Sequence, residues 1–143
     1  MRVRIADDVR EQTQEGGVTR AGEWRDAPVV AVGGDKPVPY FDLPGEANPF
    51  LGYRGVRLYP EHRAVFLAQL RAIVRSSAFG NVQIMLPMIS SPDEVRWVKE
   101  RLVEVRAELA SAGIAHDPAQ KLGVMIEVPS AAFLIDQLAS EVD

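Results

Sequence analysis

The sequence contains no cysteine, which excludes disulfides, thiolate metal sites and cysteine nucleophiles. That composition fits a reducing compartment. Histidine is nearly absent as well. His62 stands at an expected helix start and His116 in a polar connector, so neither has the context of a metal centre or a phosphorylated histidine. No apolar run approaches the roughly 18–20 residues that cross a bilayer. The opening MRVRIADD lacks the apolar stretch of a secretory signal, and a soluble cytoplasmic chain is the expectation. Basic charge is not in excess: sixteen basic residues face twenty acidic ones, for a formal net charge of -4, which argues against a surface built to hold nucleic acid. Gly33-Gly34 belongs to neither a GxxxxGK[ST] loop nor a GxGxxG fingerprint. Ser76, Ser77 and Ser130 have no histidine–acid relay around them.

What remains is enough for a core. Hydrophobic residues make up 47% of the 143, which argues against wholesale disorder, and one domain is the natural size. Residues 1–27 are the least legible: VRI suggests a short strand, and the polar, glycine-containing stretch after it suggests poorly committed structure with a short helix. From residue 28 the pattern sharpens. PVVAV (28–32) reads as a buried strand ending at Gly33-Gly34, and a long loop rich in glycine and proline follows to residue 53.

Residues 61–78 predict a helix with Val65, Leu67, Leu70, Ile73 and Val74 on its apolar side. VQIMLP (82–87) predicts a second buried strand. Ser91, Pro92 and Glu94 form an N-cap, N1-proline and capping-box pattern. Behind it, Val95, Val98, Leu102, Val105 and Leu109 make one apolar stripe, with Gly113 as the C-cap. LGVMIEV (122–128) predicts a third strand, and the residues after Pro129 a third helix. Alternating strands and amphipathic helices predict parallel strands joined by right-handed crossovers.

In such an array, reactive groups gather at the C-terminal ends of the strands. GGDK (33–36), PMIS (87–90) and Glu127 fall there. Glu127 interrupts an otherwise apolar strand, and an unpaired buried carboxylate is costly. It therefore calls for a cation, a strong donor or solvent, and the residues alone leave open a magnesium ligand, a structural ion pair or an exposed strand end. Arg54 and Arg57 could clamp phosphate or carboxylate with directed donors, or pair with loop acids. Lys36 could meet an anion, or form an exposed ion pair with Asp35. Met85, Met88 and Met125 read as core packing.

Together, GGDKPVPYF, NPFLGYRGVR, LRAIVRSSAFG, IMLPMISSPDEV and GVMIEVPSAA resemble the phosphoenolpyruvate-binding domain of the phosphoenolpyruvate–protein phosphotransferases, enzyme I of the sugar phosphotransferase system. The likeness runs from about residue 28 to 143. It implies phosphoryl transfer from phosphoenolpyruvate to an enzyme histidine and on to a phosphocarrier protein, in a family that uses Mg2+ and dimerises. It also implies that Arg54 contacts substrate phosphate and acts in catalysis, that Arg57 and Lys36 support substrate binding, and that Glu127 helps hold the metal. Three positions depart from the family pattern. Pro28 stands where a phosphate-binding arginine is expected, Ala31 replaces an acid, and Gln83 replaces another arginine.

The implied fold is α/β: a partial TIM-type (β/α)8 barrel with about three main βα units, over 28–143. A complete barrel takes roughly 250 residues, so the chain by itself is expected to lack full activity. A non-catalytic anion-binding or interaction fragment and a truncated structural remnant are the alternatives. No nucleic-acid or membrane partner is expected.

Overall fold

The computed structural model describes residues 2–6, 24–28, 47–48, 52–80 and 82–143. Four strands form one sheet in the order β2-β1-β3-β4, with β1 Arg2–Ala6, β2 Trp24–Pro28, β3 Val82–Leu86 and β4 Leu122–Val124. The expected parallel arrangement holds for β3 and β4, which pair through Ile84–Leu122, Met85–Gly123 and Leu86–Val124. It fails for β1, which runs antiparallel to both β2 and β3. Antiparallel neighbours need no crossover helix, so a strand from the chain's opening can line the other edge of β3. The described part of the chain is therefore mixed α/β with a parallel pair.

The poorly committed opening thus supplies two strands. The expected strand at 28–32 contributes only Pro28, as the last residue of β2; its remaining residues, and the short helix expected before residue 27, lie outside the described residues.

Two long helices cover the sheet. Helix α1 spans Arg63–Ser76 and buries Phe66, Leu67, Leu70, Ile73 and Val74. Val65, expected on that face, is 42% exposed instead. Phe66 is buried in its place, one helical position (about 100°) further round and in line with Leu70 and Ile73. Gly80 ends the following 3-10 turn, Ser77–Phe79. Helix α2 spans Pro92–Ser111, and all five residues of its apolar stripe are buried. The two helices are pinned on their outer side by paired contacts from Arg63 to Glu104 (2.8 and 2.9 Å) and from Arg71 to Glu108 (2.9 Å each). Such exposed pairs contribute little; the joint is held by burial.

Helix α2 starts where its sequence says it should. The Glu94 carboxylate accepts the N–H of Ser91 at 3.0 Å, the N–H of Ser90 at 2.6 Å and the Ser90 hydroxyl at 2.9 Å. These donors would otherwise be orphaned at the helix start. Glu94→Ala should cost about 1–2 kcal/mol of stability, read from the urea midpoint. A loss below a few tenths would mean that the carboxylate is dispensable there.

The last strand and helix are shorter than expected. β4 stops at Val124, although the Met125 N–H still donates to the Leu86 carbonyl at 2.8 Å. The reason lies across the pair: Ile84 and Leu86 are the β3 residues that bond to β4, and the next donor in that alternation, the Met88 N–H, goes to the Glu127 side chain instead. The single helix expected after Pro129 is divided into α3 (Pro129–Phe133) and α4 (Ile135–Ala139). At Leu134 the N–H is shared between the carbonyls of Ser130 and Ala131, at 3.1 and 3.2 Å, a bifurcation typical of helix ends. Beyond α4, Glu141 meets Lys99 at 2.9 Å and Arg96 at 2.7 Å. Hydrogen bonds from Lys99 and then Arg96 hold its carboxyl below the ordinary range. Among the described residues, no helix is long and apolar enough to cross a membrane.

Candidate functional site

The C-terminal ends of β3 and β4 open into two short connections, and a third segment, residues 52–58, packs against them. Arg54 is extended (φ -154°, ψ 166°) and leads into a 3-10 turn, Gly55–Leu58, with Gly55, Val56 and Leu58 buried. Burial of apolar neighbours on both sides of Arg57 roots this segment in the core. The Arg57 N–H meets the Arg54 carbonyl at 3.3 Å, and its Nη1 donates to the Gly52 carbonyl at 2.7 Å. Arg57 thus braces the loop from inside, and both arginines are half-buried.

Tyr53 and Tyr59 flank the turn. Burial first, then a hydrogen bond to Glu61 and that residue's charge, pushes the Tyr53 hydroxyl up to about 12. Burial alone pushes Tyr59 well above the ordinary tyrosine value. Both phenols are therefore neutral, not bases, in the physiological range.

The turn meets the exit of β3 at Gly55. Gly55 has a left-handed backbone (φ +60°), and a Cβ placed on it would lie 2.9 Å from the Met88 Cγ and 3.1 Å from the Met88 Cβ. Glycine is required here for both reasons. Met88 is itself left-handed (φ 59°), the one non-glycine residue with a positive φ among those described. Its N–H donates to Glu127 Oε1 at 2.7 Å. Glu127 is exposed and lies beyond the end of β4, so it is not a buried strand carboxylate as expected; its partner is a backbone amide at the exit of β3. Nearby, the Ser130 hydroxyl donates to the Ser90 carbonyl at 3.0 Å and ties the start of α3 to the β3–α2 connection.

The structure therefore connects Arg54, Arg57 and Glu127 through Gly55 and Met88. Lys36 and Ala31 lie outside the described residues. Gln83 is half-buried within β3, beside Lys121, Gly123 and Asp143, along a cavity of about 330 Å³. His62 occupies the N-cap position of α1 without a side-chain cap hydrogen bond, and His116 Nδ1 lies 3.1 Å from the Ile114 carbonyl in the α2–β4 connection. Met88, read from the sequence as packing alone, is buried but also shapes the backbone. Nothing in the sequence marks it, because glycine, asparagine and aspartate are the residues that signal a left-handed position.

A magnesium ion prefers near-octahedral oxygen coordination, commonly one or two carboxylates with waters and substrate phosphate. Among the described residues, no group of three or more His, Asp or Glu side chains could hold a metal ion. Glu127 offers one carboxylate, with Oε1 already on the Met88 amide. The described residues therefore do not complete a magnesium site.

Comparison with known proteins now bears on these residues. The family described as PEP-utilising enzyme, PEP-binding domain, matches residues 26–143. Multiphosphoryl transfer protein 2 of Escherichia coli strain K12 is 54% identical over 112 residues, covering 78% of this chain and 13% of that protein. The phosphoenolpyruvate-protein phosphotransferases of Listeria monocytogenes serovar 1/2a and Bacillus subtilis strain 168 are each 47% identical over 112 residues, covering 78% of this chain and 20% of theirs. The chain thus spans a fifth or less of the length of these relatives. With a match over most of its residues and a loop, strand ends and carboxylate gathered in one place, the chain belongs to the PEP-binding-domain family of PEP-utilising enzymes.

Proposed function

We propose that this chain carries part of a phosphoenolpyruvate site of a phosphotransferase, with Arg54 as the principal phosphate contact. One observation carries this reading. Arg54 leads into a buried turn that packs, through Gly55, against the exit of β3, which the Met88–Glu127 hydrogen bond ties to the segment after β4. Rigid placement is what a guanidinium needs to act on a phosphoryl group, because donors fixed in advance cost no reorganisation as charge develops. Arg57 supports the contact by bracing the loop. Lys36 is assigned a supporting part in substrate binding.

On this reading residues 28–143 form part of a TIM-type barrel, preceded by an N-terminal segment, 1–27, whose strand β1 pairs with β3. The established names of the relatives place phosphoryl transfer and phosphoenolpyruvate with those proteins. For this chain we assign the substrate-binding share of that activity: transfer of phosphate to an enzyme histidine and a phosphocarrier protein needs groups beyond those described. Mg2+ would be supplied with the substrate, and Glu127 would contribute one oxygen to it. A cytoplasmic location and a homodimer complete the reading. Pro28, Ala31 and Gln83 replace three side chains of the family pattern, two of them guanidinium groups, so affinity should be weak.

Titration calorimetry with phosphoenolpyruvate tests this. The chain should bind weakly, and Arg54→Ala should reduce affinity at least tenfold, which corresponds to about 1.4 kcal/mol. Equal affinity in the wild-type and Arg54→Ala proteins would overturn the assignment.

A further inference from the structure

We propose that Met88 is a positioning residue for the substrate loop. Glu127 fixes its backbone in the left-handed conformation, and the turned side chain then seats Gly55 and sets the direction of Arg54. The proposal rests on the reading of this loop as the phosphate contact.

The chain of contacts is short and continuous. A left-handed backbone is unfavourable for a residue with a Cβ and an unbranched side chain, so something must hold it. At Met88 the restraint is the 2.7 Å hydrogen bond from its N–H to Glu127 Oε1, which joins residues 39 apart in sequence. At 2.7 Å the bond is short for an N–H donor to a carboxyl oxygen. The restrained residue is 7% exposed and belongs to the core, so its side chain cannot swing away without opening a packed region.

Gly55 then fits against the Met88 Cβ and Cγ with no room for a Cβ of its own, and it also needs a left-handed backbone. Two adjoining left-handed residues from separate segments thus interlock. Arg54 immediately precedes Gly55, and its carbonyl accepts the Arg57 N–H. A change in the backbone at Met88 would therefore be passed to Arg54 through a contact that has no slack.

This gives Glu127 a task that needs an acceptor oxygen but not a negative charge. Pro87 and Met88 are otherwise an unremarkable strand exit, and a role confined to packing would be satisfied by any apolar side chain of similar volume. The positioning role instead depends on the amide and on its acceptor, and the two roles separate by experiment.

Hydrogen exchange of individual amides, followed by NMR on the 143-residue chain, reads the restraint directly. Phosphoenolpyruvate affinity by calorimetry reads its consequence. Glu127→Ala should speed exchange at Met88 at least tenfold, also speed it at Gly55 and Arg57, and weaken phosphoenolpyruvate binding at least fivefold. Glu127→Gln retains a carbonyl acceptor and should keep Met88 protected. Amides of Leu70 and Val98, in the cores of α1 and α2, serve as the control for global unfolding. If Glu127→Ala proves unfolded by that control, Gly55→Ala provides the second arm: it keeps Glu127 but displaces Met88, and should weaken binding at least fivefold. Arg54→Ala should weaken binding and leave Met88 protection unchanged.

Unchanged exchange at Met88, Gly55 and Arg57 in folded Glu127→Ala would overturn the proposal, as would undiminished affinity in Gly55→Ala. If the wild-type chain fails to bind phosphoenolpyruvate, the functional reading falls. The exchange measurements still decide whether Glu127 restrains Met88 and, through it, the loop.

Discussion

Phe66→Ala should lower the stability of the fold by about 3–5 kcal/mol, a large share of the 5–15 kcal/mol typical of a domain. Phe66 is 2% exposed and stands at a junction. Its ring stacks on Tyr59, with centroids 4.2 Å apart and planes 13° apart, and it tilts against Trp97 at 5.6 Å. Tyr59 closes the turn that carries Arg57, Phe66 belongs to α1, and Trp97 belongs to α2 and lies under the Arg101 guanidinium at 5.2 Å. Truncation thus removes buried area, leaves a cavity and breaks two ring contacts, worth about 0.5–1.5 kcal/mol each beyond their area.

Phe66→Leu should recover most of the loss, because it restores volume without stacking. Urea denaturation of the three proteins provides the measurement. A Phe66→Ala loss under 1 kcal/mol would mean that the junction collapses freely around the missing ring. The substitution should also loosen residues 54–58, since Tyr59 loses the surface on which it rests.

The second large effect is expected at alkaline pH. Tyr59 is buried, and its proton is held well above the ordinary tyrosine value by that burial. Tyr53 is half-buried and pushed up to about 12. In the unfolded chain both phenols ionise near pH 10. Above that pH the unfolded state binds fewer protons than the native state, so stability falls as pH rises. Below about pH 10 the contribution is fully present, and the loss runs upward through the folded values. For Tyr59 the limiting slope is about 1.4 kcal/mol per pH unit. Tyr53 adds less, because solvent screens a partly exposed group.

Tyr59→Phe isolates the effect. Its hydroxyl is buried without a hydrogen-bond partner among the described residues, so at pH 7 its removal should be neutral or stabilising. Urea midpoints between pH 7 and 11 should fall steeply for the wild type and less steeply for Tyr59→Phe. Identical pH profiles would show that Tyr59 ionises without unfolding the chain.

What the sequence disclosed follows from which signals are local. Helices α1 and α2 were legible because their apolar residues recur with helical spacing over several turns, and α2 announces its start through Ser91, Pro92 and Glu94. Glu127 was legible as a polar exception in an apolar run, although that run leaves the strand at Val124 and exposes Glu127; its partner was not legible, because a backbone amide leaves no residue type to read. The antiparallel β1 was hidden because strand direction depends on pairing across about 80 residues of sequence. The shortened β4 was hidden because its limit is set by the Met88 N–H, past the end of β3, bonding to the Glu127 side chain rather than to β4. Met88 was the hardest, since its conformation is enforced by Glu127 and contradicts its own preference.

The sheet order also implies a sequence of events in time. β1 and β2 pair within the first 28 residues, and β3 and β4 join across α2, about 40 residues apart. The β1–β3 pairing must close a loop about twice as long as the second of these. Assembly should therefore proceed from two locally closed pieces, with the β1–β3 seam formed late. On that order, weakening the start of α2 slows folding, whereas weakening the seam chiefly hastens unfolding. The seam is then the part of the molecule that sets how long the sheet survives once made.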